Sequence, residues 1–285
     1  MSLTWGVVAA VLTGALLHAS WNALVKSSTD KALDTAVIHL LGSFMAVPLV
    51  LLSGWPPAAA WPFIAASTVI HIGYYTALTG AYKHGDLGLT YPLMRGTAPL
   101  LVALSASVTL GETLSPLAWA GVLGICCGVL ALGLSRHALQ TPKAVGFALA
   151  NAVVIAVYTV VDALGVRATV AAGGQSWQYV IALFVLDGWP FALLVLHRRG
   201  MAVAWPYARA RAPVAAGAAM ASFGSYGIAL WAMTQAPVAT VAALRETSVL
   251  FASLLGTWLL KEAFTPRRAL GTGVIVAGVM ALRLG

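Results

Sequence analysis

Charge is scarce in this chain. Of its 285 residues only 16 are Lys or Arg and 8 are Asp or Glu, so charged residues make up 8% of the sequence. A soluble domain carries roughly 25%. A chain this poor in charge lacks the material to cover a water-facing surface. Its 60% hydrophobic content and mean hydropathy of +0.90 make lipid the expected solvent. Cysteine is nearly absent too: Cys126 and Cys127 are the only two, and they are adjacent. Neighbouring positions on a helix point apart, so neither a disulfide nor a metal pair is expected, and both read as small packing residues. The alternating ten-residue segments of a β-barrel are missing. So are G-x-S-x-G, H-E-x-x-H and comparable catalytic constellations, and the loops are too short for a substantial catalytic domain. An enzyme is not expected, and nothing calls for a cofactor or a metal.

What the chain has instead is long apolar runs. A bilayer core of about 30 Å takes about 20 apolar residues per helix. Runs between polar, Pro or Gly breaks predict ten spans, at 4–25, 33–53, 61–82, 89–110, 116–135, 144–166, 176–197, 212–235, 238–260 and 266–284. The first run has no basic leader, so a cleavable signal peptide is not expected.

The net charge of +8 invites a nucleic-acid reading, but its placement opposes one. With loops numbered by order, the odd loops and adjoining helix ends carry Lys26, Lys31, Lys83, Arg136, Lys143, Arg198, Arg199, Arg209, Arg211, Lys261, Arg267 and Arg268. The even side carries only Arg167 and, at the C-terminus, Arg283. This positive-inside bias puts the odd loops in the cytoplasm and both termini outside. No soluble segment gathers the charges into a DNA-binding patch.

The chain also writes one stretch twice. Residues 89–134 and 239–284 align without a gap, and Thr90, Arg95, Leu100, Glu112, Pro116, Gly121 and Gly128 are among those that recur 150 positions later. At an offset of 140, Asn22-Ala23-Leu24 matches Asp162-Ala163-Leu164. Two five-helix units are therefore expected, 1–135 and 144–285, joined by a linker at 136–143. Five is odd, so the second unit enters the membrane from the opposite side. Such inverted repeats place their site near the midplane, between the halves.

Each copy sets one arginine, Arg95 and Arg245, in an apolar run. An arginine at the bilayer centre costs about 2.5–3.5 kcal/mol on insertion scales, so it faces a cavity or a partner. Pairing with Glu246, Asp162 or Asp187, or capping of backbone carbonyls, would satisfy it. So would the carboxylate or phosphate of a substrate, gripped by two parallel hydrogen bonds. Polar and aromatic residues recur beside them at helical spacing: His18, Trp21 and Asn22; His71, Tyr75 and Tyr82, with Tyr74 alongside; Asn151, Tyr158 and Asp162; Ser222, Ser225 and Tyr226. Taken singly they are ordinary interhelical glue; their concentration on four helices points to a site. Asp162, Asp187 and Glu246 are the carboxylates expected at membrane depth, where any could carry a coupling proton. Trp5, Trp55, Trp61, Trp177 and Trp205 suit the interfacial belt. Gly121, Gly128, Gly271 and Gly278 suit close helix packing.

The run YPLMRGTAPLLVALSASVTLGETLSPLAWAGVLGICCGVL resembles the repeat unit of the EamA family of the drug/metabolite transporter superfamily. The helix end Leu110-Gly111-Glu112 carries much of the likeness. LRETSVLFASLLGTWLLKEAFTPRRALG resembles the same unit, and HASWNALVK the family's first helix. The resemblance implies an all-α integral membrane protein, ten transmembrane helices in two inverted five-helix repeats around a central cavity, in the cell inner membrane. It implies export of a small metabolite, with amino acids, aromatic ones included, carried by the YddG-type branch. Efflux of drug-like hydrophobic compounds or of another small organic anion is the alternative. Family members commonly hold their termini in the cytoplasm, whereas the charge bias here points the other way. The expected partners are a small-molecule substrate and lipid, with proton coupling open, and a monomer suffices because ten helices enclose a cavity. The substrate-binding candidates are Trp21, Asn22, His71, Tyr75, Tyr82, Arg95, Tyr158, Asp162, Tyr226, Arg245 and Glu246.

Overall fold

A computed structural model describes residues 3–26, 28–84, 87–133, 141–260 and 265–285. Among them every regular element is helical. The α-helices are α1 (Trp5–Lys26), α2 (Lys31–Ser53), α3 (Trp61–His84), α4 (Leu87–Thr109), α5 (Pro116–Gly133), α6 (Pro142–Ala171), α7 (Ser176–Arg199), α8 (Met201–Gln235), α9 (Val238–Arg245), α10 (Thr247–Leu260) and α11 (Pro266–Leu284). All ten expected spans are present, and α9 with α10 make up the ninth. By length and hydropathy alone six segments qualify as membrane spans outright, and Pro116–Leu132 is a shorter apolar helix.

Two helix ends differ from the sequence reading by more than two residues and one span is interrupted, each for a physical reason. The eighth helix begins at Met201 rather than 212, because YARARAP remains helical where it ceases to be apolar. The sixth runs on to Ala171, beyond 166, because Arg167 finds acceptors within the protein: Met233 O at 2.8 Å and Glu112 Oε1 at 2.7 Å. The ninth span is interrupted at Glu246, where the Glu246 N–H reaches back only to Ala243 O, at 3.0 Å. Arg136 and Lys261 lie outside the described residues, as do the side chains of Lys26 and Tyr82.

The packing follows the two-fold relation of the repeats. Helix α3 packs on α6 as α1 packs on α8, and the self-related pairs are α2 with α7 and α5 with α11. The last pair shows the symmetry at atomic scale. A Cβ at Gly121 would strike the Gly278 carbonyl, and one at Gly278 the Gly121 carbonyl; Gly128 and Gly271 stand in the same reciprocal relation. These four glycines let two backbones touch, which is how helices associate where lipid removes the hydrophobic drive. Cys126 is buried and Cys127 exposed, as adjacent positions require. Trp5, Trp55, Trp61, Trp177 and Trp205 are exposed at helix ends.

Ionic clasps join the halves on both faces. On the odd-loop face Arg211 grips Asp34 with two bonds of 3.0 and 3.1 Å, and Tyr207 donates to the same carboxylate. On the even-loop face Glu112, the residue of the repeated L-G-E helix end, pairs with Arg167 and accepts the Val238 N–H at 2.8 Å. Its negative charge thus caps the N-terminus of α9.

Candidate functional site

Two charged spans with disturbed backbones meet in the middle of the bundle. In α4, Arg95 is flanked by Pro92 and Pro99, both inside the helix. Pro99 has no N–H, so the Arg95 carbonyl loses its helical partner. In the other half a one-residue turn at Glu246, with φ −69° and ψ −13° still in the helical region, separates α9 from α10 just after Arg245. Discontinuous helices of this kind line sites in transporters built from inverted repeats.

The break turns Glu246 toward α4, where its Oε2 stands 2.7 Å from Arg95 Nε. Both residues are buried, at 4% and 8% exposure. The Arg95 N–H does not point along that line, so the contact is ionic, and Arg95 Nη2 has no hydrogen-bond partner. Arg245 is only half-buried; its guanidinium carbon lies 5.3 Å from the Tyr226 ring centroid, within cation–π range. Among the described residues Arg245 makes neither an ion pair nor a side-chain hydrogen bond. Glu246 is within electrostatic reach of both guanidiniums. The site therefore presents two planar cations whose donors are incompletely used.

Asp162, fully buried on α6, forms the adjoining anionic corner. Tyr179 of α7 donates to its Oδ1 at 2.8 Å, and Tyr226 of α8 donates to its Oδ2. Gly165, one turn along α6, makes room: a Cβ there would strike the Tyr179 ring. Within electrostatic reach of Asp162 and both arginines is Tyr158, whose ring stacks on His71 at 4.6 Å and meets Tyr74 edge-on at 6.0 Å. Beyond His71, Tyr75 stacks on Phe191 at 4.5 Å. Cations, carboxylates and aromatic faces thus share one buried region.

Of the expected residues, Arg95, Tyr158, Asp162, Tyr226, Arg245 and Glu246 come together, with His71 and Tyr75 as an aromatic annex. Trp21 and Asn22 are linked to the cluster only through His18, which lies within electrostatic reach of Arg95 and Arg245. Trp21 packs against the apolar cluster of α2 and α8 and donates to His18 Nδ1 at 3.3 Å, while Asn22 donates to its own helix at His18 O. The Tyr82 side chain lies outside the described residues. Sequence reading passed over Tyr179 and His39, and named Asp187 as a carboxylate that could carry a proton without placing it among the substrate-binding residues. For Tyr179 no signal existed, since only the packing of α7 on α6 brings it to Asp162. His39, an ionisable residue inside an apolar run, did carry one. Two cavities, of about 370 Å³ between α2 and α8 and about 90 Å³ beside Trp55, lie away from the charged cluster.

No curated protein matches the chain. Twenty-eight chains of solved structures do. One crystal structure superposes with a TM-score of 0.73 at 22% identity, covering 97% of this chain and 98% of that one, a likeness of fold alone. The profile of the EamA-like transporter family matches residues 142–284, the whole second half. The chain belongs to the EamA-like transporter family, membrane transporters of small substrates.

Proposed function

We propose that this transporter exports a small zwitterionic or anionic metabolite, an amino acid being the best fit, by alternating access between the repeats 1–135 and 144–285. The observation that carries the reading is the pair of repeat-related arginines with unspent donors around one carboxylate. A substrate carboxylate fits between Arg245 and Arg95 Nη2, where fork-shaped guanidiniums bind it with two parallel hydrogen bonds. A substrate ammonium fits the Glu246–Asp162 side, and Tyr158, His71 and Tyr74 offer ring faces to an aromatic side chain. That lining supports the YddG-type reading. Hydrophobic cations are disfavoured by two arginines, although stacking on the rings would suit them. The twelve basic residues on the odd loops support a cytoplasmic odd face and outer termini.

Reconstitution into proteoliposomes tests the reading. Amino-acid flux is expected, competed by carboxylate analogues and lost in Arg245→Ala. Absence of flux for every amino acid, or flux unchanged in Arg245→Ala, would sink it; competition by cationic dyes alone would favour drug efflux.

A further inference from the structure

Helix α7 carries a carboxylate that the substrate reading does not use. Asp187 is mostly buried in mid-helix, and its Oδ1 has no hydrogen-bond partner. Its place is set by close packing. A Cβ at Gly188 would run into Ser43 Oγ and the His39 carbonyl, so α7 lies backbone to backbone on α2. Ser43 Oγ donates to Phe184 O at 2.7 Å across the same contact. Pro190 then removes an N–H from α7 and frees the Leu186 carbonyl one residue before Asp187.

Helices α2, α3, α6 and α8 pack around α7. From α3, His71 Nδ1 stands 3.7 Å from Asp187 Oδ1, with Tyr75 beside it. From α2, His39 lies within electrostatic reach. From α6, Tyr158 stacks on the His71 ring. Among the described residues α8 brings no charged group to it. Each imidazole has Nδ1 2.8 Å from a backbone carbonyl, His71 at Ser67 O and His39 at Thr35 O. A carbonyl only accepts, so both rings carry the Nδ1 proton, and Nε2 is the atom that takes up a second one.

We propose that Asp187, with His71 and His39, is a proton-binding site that drives transport by proton–substrate exchange, a proposal that rests on the transporter reading above. In the loading step a His71 imidazolium, protonated at Nε2, gives its Nδ1 proton to the Asp187 carboxylate that faces it at 3.7 Å, leaving a neutral carboxylic acid and a neutral imidazole that keeps the Nε2 proton. Loss of the charge on Asp187 removes the electrostatic hold on His71. The His71 ring is stacked on Tyr158, which lies within electrostatic reach of Arg95, Arg245 and Glu246, so proton occupancy reaches the substrate region through one aromatic contact. The intramembrane carboxylate thereby has a named task, as such residues in transporters generally do.

The test has two arms on the full chain in lipid. The first needs no substrate: pH-difference infrared spectroscopy should show a protonated-carboxyl band that disappears in Asp187→Asn and persists in Asp162→Asn. A band unaltered in Asp187→Asn overturns the proposal. The second is flux in proteoliposomes under a proton gradient. One exchanged proton gives about tenfold accumulation per pH unit. Wild type should accumulate substrate, whereas Asp187→Asn should retain exchange and accumulate none; accumulation at the wild-type level in that variant overturns the coupling. A band lost in Asp187→Asn with no amino-acid flux in wild type upholds the proton site and overturns the substrate reading instead. Should Asp187→Asn not fold, His71→Gln and His39→Gln replace it, each expected to shift the midpoint of the band; an unmoved midpoint in both contradicts the cluster.

Discussion

The two repeat-related arginines stand in unlike surroundings. Arg95 is buried in a continuous α4 and bound to Glu246; Arg245 sits at the turn between α9 and α10, half-exposed, above the Tyr226 ring. One substitution between the repeats accounts for much of the difference. The residue after Arg95 is Gly96, and the residue after Arg245 is Glu246. A Cβ at Gly96 would strike Leu130 and approach the Cys126 carbonyl, so glycine there seats α4 tightly on α5. Glutamate cannot take such a seat. In the second half it swings into the centre, and α10 touches α11 only sparingly among the described residues. Duplication supplied two equal cations, and a single glycine-to-carboxylate difference left one held and the other available.

The comparison breaks most severely at Arg95. Arg95→Ala leaves the buried Glu246 without its contact partner and with only the more distant Arg245 as counter-charge, which should cost about 3–5 kcal/mol of stability, read by thermal unfolding in detergent. Arg95→Met combined with Glu246→Leu should recover most of that loss. Recovery would show that the pair matters through its uncompensated charge; no recovery would contradict the ion-pair account.

Next in size is the even-face clasp. Glu112→Gln keeps the shape but removes the charge that pairs with Arg167 and caps α9. A hydrogen bond to a charged group contributes about 1.5–3 kcal/mol, and a loss in that range is expected. Labelling of a cysteine placed at Ala236 should rise in the same variant, since Arg167 also holds the Ala236 carbonyl. Gly96→Ala should cost a comparable or smaller amount, about 1–3 kcal/mol, through overpacking against Leu130. Alanine at a position that tolerated it freely would remove the stated reason for the asymmetry.

Smaller again is Tyr226→Leu, which deletes a donor to Asp162 and the ring under Arg245. Tyr226→Phe separates the two, because it keeps the cation–π contact, worth about 0.5–2 kcal/mol. If the ring matters to Arg245, Phe should preserve substrate affinity better than Leu does. The smallest effect on stability, within about 1 kcal/mol, is expected for Arg245→Gln, since the side chain makes no ion pair to lose.

The ten spans were legible because lipid imposes length and apolarity on every crossing, and because the repeat fixed which spans correspond. The reciprocal glycines of α5 and α11 were legible for the same reason: seven-residue spacing of small residues has one common use in a membrane. The break at Glu246 was not, because a charged pair inside an apolar run fits an intact helix as well as a broken one. Nor was the start of α8, since hydropathy reports where a helix leaves the bilayer and not where it ends. At the site, Arg95, Arg245 and Glu246 stood out as charges in apolar sequence. Tyr179 did not, because its meeting with Asp162 depends on Gly165 giving way to its ring. Asn22 illustrates the converse. It matches Asp162 in the repeat, yet its amide is spent on the His18 carbonyl of its own helix.

The measurement closest to the central claim is calorimetric titration of an amino acid into wild type and Arg245→Gln, with unfolding curves on the same samples. The account predicts unchanged unfolding and an affinity at least about tenfold weaker, the loss of one charge-assisted contact. Wild-type affinity in Arg245→Gln, or a variant that unfolds as readily as Arg95→Ala, would contradict it.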